Sequence, residues 1–473
     1  MTNRRSFLKG LGGAGALSFL GGTSLLSALG NSNSFAANVS GYKAIVCVFM
    51  HGGQDCHDTV IPYDQSSYDN WAAKRTGILN DYADMQGGSN RTLDRLLALN
   101  PDNAADFGGR QFALPDDLKP IKDLFDAGNA AIIGNVGPLV RPLNRVEFEE
   151  DLVEVPKLIF SHNDQQSAWM SNGPEGQLYG WGGKFVDAVN AAGGNQNDAF
   201  STVSTDGVNV FLSGQSVTQF VVNTDGPANI DVLNVLESGS VARQVLKEHY
   251  SNAALNPPNL FQKDIIAANQ RAFSLNDQFR NALDASSPLA TRFPATYVGD
   301  QLKIIARTIQ IRSALGVGRQ VFFADAGGGF DTHDTQARRL RRNHKRYAEA
   351  IGAFYQAMVE LGIENDVVLF TASDFGRALL ENGNGTDHGW GGHHFVVGGG
   401  VNGNKIYGDI PPPDLGHDYD AGNGRLIPTT SVEQYAATLG KWFGLSDTEI
   451  DSALPRLANF SSRDLGFMGG GAT

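Results

Sequence analysis

Cysteine is nearly absent from this sequence, with two residues, Cys47 and Cys56, among 473. A scaffold held together by disulfides is thereby excluded. Cys47 lies in an apolar run and Cys56 in the loop after it, so a buried thiol and an unpaired loop thiol are expected. Basic residues are also in deficit, 37 against 50 acidic ones, giving a formal charge of -13. That balance argues against a protein that grips nucleic acid through phosphates. Long uninterrupted apolar runs are missing too. The best candidate, Leu11 to Leu29, is broken by Gly12, Gly13, Gly15, Gly21 and Gly22, and makes a poor bilayer span. Tandem repeats, charged tails and an interdomain linker are likewise absent.

What is present begins at the amino terminus. Asn3-Arg4-Arg5-Ser6-Phe7-Leu8-Lys9 places two arginines before an aromatic, a leucine and a lysine, and no acidic residue occurs before Asp55. With the weakly apolar stretch behind it and the small residues of Ser34-Phe35-Ala36, this reads as a twin-arginine signal peptide over residues 1–37, cleaved after Ala36 or Ala37. The expected partner is the twin-arginine export machinery. The expected location is periplasmic or secreted, with no stable membrane span after cleavage. Losing Arg4, Arg5 and Lys9 takes the charge from -13 to -13 - 3 = -16. The remaining span, 38–473, is long enough for one large core.

Ala44-Ile45-Val46-Cys47-Val48-Phe49-Met50 is continuously apolar, as a strand buried on both faces must be. Residues 130–137 form a second such run, and Lys157-Leu158-Ile159-Phe160 a shorter third. From about Ser201 to Asp225 apolar and polar residues alternate around glycines, which predicts a small inserted hairpin sheet. Helices are expected between about Leu260 and Leu315. Gln320–Ala324, a helix with Leu340, Tyr347, Ile351, Phe354 and Met358 on one stripe, and Val367–Thr371 then make a β-α-β unit, which implies parallel strands. Thr430-Ser431-Val432-Glu433 opens a helix with a capping box. The fold class is α/β: a three-layer sandwich around a largely parallel central sheet, with a smaller β-containing insertion at approximately 180–260.

Polar residues collect just after these strands. His51, Asp55, His57 and Asp58 follow the first; Asp331, His333 and Asp334 follow the strand near Val321; Asp374 and Arg377 follow Val367–Thr371. Asp387, His388, His393 and His394 precede the next strand. Beyond the carboxyl ends of parallel strands such groups converge in one crevice. Aspartate oxygens and imidazole nitrogens suit zinc, manganese or iron, and a carboxylate-rich half-site suits magnesium or calcium. A divalent metal site is therefore expected. Each segment also has a structural reading, since Asp331 and Asp334 could cap the following helix and His393-His394 could be an ordinary strand pair.

The text Val-Val-Leu-Phe-Thr-Ala-Ser-Asp-Phe-Gly-Arg at 367–377, followed by Gly385-Thr386-Asp387-His388-Gly389, resembles the exported proteins grouped as domain of unknown function 1501. His51-Gly52-Gly53-Gln54-Asp55, Phe160-Ser161-His162 and Gly329-Phe330-Asp331-Thr332-His333 extend the resemblance over nearly the whole chain after the signal. It implies an alkaline phosphatase-like fold, shared with sulfatases and phosphoglycerate mutases, and a hydrolytic site with two metal ions. Carried over, Asp55, Asp331, His333 and Asp374 resemble metal ligands, His388 or His393 the final histidine ligand, and Ser161 the nucleophile. Phe375 stands where the superfamily has a histidine, and no Cys-x-Pro-x-Arg or Ser-x-Pro-x-Arg motif occurs, which sets the chain apart from orthodox sulfatases.

The function these features imply is an exported, metal-dependent hydrolase of a phosphate or related ester, small-molecule or polysaccharide, with Ser161 attacking and Arg377 pairing with substrate oxygens. The same Ser161 reads as a helix cap with Asp164. The alternative is a non-catalytic exported surface or polysaccharide-binding protein that keeps the hydrolase fold, using Trp169, Trp181 and Trp390 along a groove. The basic run from Arg338 to Arg346 flanks the apolar stripe of its helix and reads as a solvated face.

Overall fold

In the computed structural model the strand Lys43–Met50 is the middle of everything else, and its alternating side chains explain why it had to be apolar throughout. Ala44, Val46, Val48 and Met50 join the core on one side of the sheet, while Ile45, Cys47 and Phe49 join the core on the other. The structure describes residues 37–227, 239–251 and 260–469. Apart from Ala37, the segment 1–37, where a signal peptide is expected, lies outside the described residues, which belong to one compact unit.

Among the described residues the central sheet has ten strands. Lys43–Met50 pairs in parallel with Val367–Ser373 on one side and Arg319–Asp325 on the other. Thr202–Ser204 and Phe220–Asn223 continue the sheet in parallel beyond Arg319–Asp325. On the opposite flank Gly392–Val397 runs antiparallel, between Val367–Ser373 and Ala130–Gly137. Ile406–Gly408 and Thr430–Ser431 both pair in parallel with Ala130–Gly137. Helices cover both faces: Lys119–Asp126, Tyr297–Gln310 and Gln336–Glu360 supply one core, and Trp181–Ala191 and Val432–Phe443 the other. This is the mixed α/β, mostly parallel sandwich that the strand pattern implied.

Three local expectations are corrected. Residues 157–160 form a turn rather than a strand; Leu158 has a φ of 49° and is exposed, so its apolar character does not mark a core. The segment 201–225 builds no separate sheet, because its short strands extend the central one. In the helix Val432–Phe443 the capping box is Ser431 with Gln434, one residue later than Thr430 with Glu433. Cys56 is enclosed like Cys47, and both thiols are free.

Candidate metal centre

The strands ending at Met50, Asp325 and Ser373 run parallel and deliver their loops to one edge of the sheet. Two glycines let those loops close on each other. Gly52 has a φ of 115°, and a Cβ there would stand 2.3 Å from the backbone nitrogen of Asp331. A Cβ on Gly385 would stand 2.3 Å from the backbone of His333, where the Thr386 N–H donates to the Thr332 carbonyl at 2.9 Å. The short strand Thr386–His388 is thereby pressed against the loop that carries Asp331 and His333.

Three imidazoles then face one carboxylate. His388 Nε2 lies 3.3 Å and His333 Nε2 3.2 Å from Asp331 Oδ1, and His162 Nε2 lies 3.7 Å from Asp331 Oδ2. In two of these rings the far nitrogen is committed elsewhere. His162 Nδ1 is 2.6 Å from Asp374 Oδ2, and His388 Nδ1 donates to the Phe160 carbonyl at 2.8 Å. A neutral ring whose Nδ1 donates must present a lone pair at Nε2. His388 Nε2 and His333 Nε2 are nonetheless 2.9 Å apart. A proton or a cation placed between them relieves that opposition. Ligand atoms of His162, Asp331 and His388 all lie within 4.8 Å of one another, so this cluster could hold a metal ion.

Electrostatics tune each member. Burial alone would raise the Asp331 carboxyl, but the hydrogen bond and charge of Arg377, with His333 and His162, carry it below the ordinary value. The hydrogen bond to Asp374 raises His162, while burial lowers His388. Asp374 is fully enclosed; its Oδ2 takes the Gly52 N–H at 3.1 Å, His162, and Gln166 Nε2 at 3.2 Å. Its Oδ1 has no hydrogen-bond partner among the described residues. Asp374 thus orients His162 from behind, the arrangement that fixes ring tautomer in carboxylate–histidine–metal groups.

Of the residues singled out from the sequence, Asp331, His333, Asp374, His388 and Arg377 come together, whereas Asp55 and His393 do not. Asp55 is turned away into a buried ion pair, with Arg75 Nη1 at 2.5 Å and Nη2 at 3.1 Å and Gln336 Nε2 at 2.6 Å on its carboxylate. His393 accepts the Asn135 N–H at Nδ1, 2.9 Å away, inside the sheet, and burial holds its ring neutral. It is His388 that faces Asp331. Arg377 is also differently employed. Fully enclosed, it donates to Asp331 Oδ1 at 2.8 Å, to the Gly52 carbonyl at 3.0 Å and to Thr386 through Nε and Nη2, so it braces the cluster instead of reaching for substrate. Ser161 caps the helix His162–Ser171 by position, but its hydroxyl donates to the Asp164 carboxylate at 2.8 Å.

His162, the third residue of Phe160-Ser161-His162, joins the cluster although the motif assigns it no role. Its signal was position: the first residue of a helix, one turn before Gln166, which shares its aspartate. Phe375, standing where a histidine would be expected, packs its ring 4.9 Å from His162 and 4.5 Å from His388 and walls the two imidazoles in. Trp169, Trp181 and Trp390 are all buried, which removes the tryptophan-lined groove.

Among solved structures, the chain is similar to a sulfatase from Pseudoalteromonas sp., at 7% identity and a TM-score of 0.34, covering 91% of this chain and 70% of that one. A lipoteichoic acid synthase from Listeria monocytogenes matches at 8% identity and 0.32, with 88% and 75% covered. A phosphonate monoester hydrolase from Silicibacter pomeroyi matches at 12% and 0.28, with 75% and 72% covered. None of the curated proteins matches the chain. A protein-family profile does match, over residues 42–452, and the chain belongs to that family, described as Protein of unknown function (DUF1501).

Proposed function

We propose that this chain is a metal-dependent hydrolase of phosphate or related esters that works outside the cytoplasm. The observation that carries the reading is the convergence of His162, His333 and His388 on Asp331, with Nδ1 of His162 and His388 already engaged. Three nitrogen donors and one carboxylate suit zinc, manganese or iron better than magnesium or calcium. A divalent cation held there would supply Lewis-acid polarisation of a phosphoryl or sulfuryl oxygen. The protein's own part is to hold the ligands. Arg377 fixes the Asp331 carboxylate, Asp374 orients His162, and Phe375 keeps water from one side of the rings. Ser161, one residue before His162, is the candidate nucleophile, and Asp164 is placed to accept its hydroxyl proton.

Export is proposed on the Arg4-Arg5 segment and the charge asymmetry behind it. Among the described residues no helix is long and apolar enough to cross a membrane. The test is elemental analysis of protein purified with its signal cleaved, together with turnover of aryl phosphate and aryl sulfate esters. One equivalent of a transition metal is expected, falling at least tenfold in His388→Ala and His162→Ala, with turnover falling in step. Ser161→Ala is expected to keep the metal and lose turnover. Protein without metal, or with metal content indifferent to both histidine substitutions, would overturn the reading.

A further inference from the structure

We propose that the helix Gln336–Glu360 carries a docking ridge for a polysaccharide bearing sulfate or phosphate groups, leading to the imidazole cluster. The inference deepens the hydrolase reading and rests on it for what happens at the cluster. Six of the nine residues from 338 to 346 are Arg or Lys, in a chain that has 37 such residues among 473. Leu340, Asn343, His344 and Tyr347 turn into the core, which leaves Arg338, Arg342, Lys345 and Arg346 exposed on the other side.

Little within the helix favours the charge at 338, 342 and 346. Arg338 with Arg342, and Arg342 with Arg346, are like charges one turn apart, which repel. The run also begins at the helix amino terminus, where the macrodipole disfavours cations. Several neighbouring acids are already engaged, Asp117 with Arg91 at 3.0 Å and Arg341 at 3.6 Å, Asp123 with Lys119 at 2.6 Å, Asp334 with Arg339 at 3.0 Å and Glu349 with Lys345 at 3.9 Å, while Asp81 and Asp84 line the groove beside Arg338 without pairing to it. Arg338, Arg342 and Arg346 make no ion pair with any described residue. A fold that keeps three uncompensated, mutually repelling cations in a strongly acidic protein is complementary to an anion from outside.

The geometry narrows the class. At 1.5 Å rise per residue the three arginines stand about 6 Å apart and span about 12 Å, a ladder for a chain with regularly spaced charges. Open grooves of about 670 and 700 Å³ flank the ridge, each lined in part by Arg338 and Arg341. The ridge reaches the cluster, because Arg339 Nη1 is 3.4 Å from the backbone carbonyl of Asp331. Tyr347, Phe354 and Tyr355 on the same helix are buried, so no aromatic platform is offered to nucleic-acid bases.

The test uses fluorescent heparin oligosaccharide as the probe, with the signal-cleaved protein and the triple variant Arg338→Gln/Arg342→Gln/Arg346→Gln. Removing mutual repulsion leaves the fold intact, which a thermal melt verifies. Binding is expected to weaken about tenfold or more at ~0.1 M salt, while metal content and turnover of a small aryl ester stay unchanged. The triple variant binding heparin as wild type does would overturn the proposal, as would a single-stranded oligonucleotide of equal charge binding as tightly as heparin. A wild type that binds heparin through these arginines but turns over no ester would sink the hydrolase reading and leave the ridge standing.

Discussion

Replacing Arg75 with methionine would leave Asp55 ionised inside the protein without its cation. Both side chains of the pair are fully buried, and the guanidinium meets the carboxylate through two nitrogens, at 2.5 and 3.1 Å. Gln336 Nε2 at 2.6 Å and the His57 N–H at 3.0 Å would remain, but neither carries charge. Breaking one side of a buried ion pair costs about 3–5 kcal/mol, a large part of the ~5–15 kcal/mol that holds a domain folded. For the span 38–473, an unfolding entropy of ~2.1 cal/mol/K per residue sums to about 0.9 kcal/mol/K, so Tm should fall by about 3–5 °C. Removing both charges, Asp55→Asn with Arg75→Met, should recover more than half of that loss, because the uncompensated charge is gone. Calorimetric melts of the two single variants and the double, each with metal present and after chelation, measure all three values. The reasoning is refuted if Arg75→Met melts with the wild type while Asp55→Asn loses bound metal, for Asp55 would then be a ligand after all.

Glu433 is enclosed at the start of the last long helix, its Oε2 has no hydrogen-bond partner among the described residues, and burial pushes its carboxyl up to about 7 from an ordinary 4.5. The fold therefore keeps a proton that the unfolded chain releases, and stability drains away as pH rises from the lower value through the higher one. The full loss, about 3 kcal/mol, is present at pH 8 and absent below about pH 4. Glu433→Gln should accordingly raise Tm by about 3 °C at pH 8 and change nothing at pH 4; equal melts at pH 8 would contradict the argument. Gly52→Ala would place a Cβ 2.3 Å from the Asp331 nitrogen at a φ of 115°, so it should cost about 2–4 kcal/mol in urea unfolding and weaken metal uptake by displacing Asp331. Unchanged unfolding and unchanged metal titration in that variant would show that the loops do not meet there.

Much of the scaffold could be read from residue order because its cause is local or periodic. Continuous apolar runs at 44–50, 130–137 and 367–371 became central strands since both faces of a covered sheet exclude polar side chains. Where composition was the same but burial was not, the strand does not form: Leu158 and Phe160 are apolar and lie exposed in a turn, with only Ile159 between them buried. The capping box slipped by one residue because Thr430-x-x-Glu433 and Ser431-x-x-Gln434 are equally good texts, and the packing of the helix chose the second.

The gathering of Asp331, His333, Asp374 and His388 was implied by the sequence alone, because parallel strands deliver their following loops to one edge whatever the loops contain. Which side chains turn toward that edge was a tertiary decision. Asp55 sits in the expected loop, yet Arg75, in the turn between the helices Gln65–Ala73 and Thr76–Asp84, draws its carboxylate inward, since a buried carboxylate is held by the nearest cation that can reach it twice. His162 belongs to a different part of the chain, 212 residues from the aspartate that aligns it, and only the docking of its helix against the sheet brings the ring to the cluster. Sequence determines what each segment can become; direction across an interface between distant segments is set by packing.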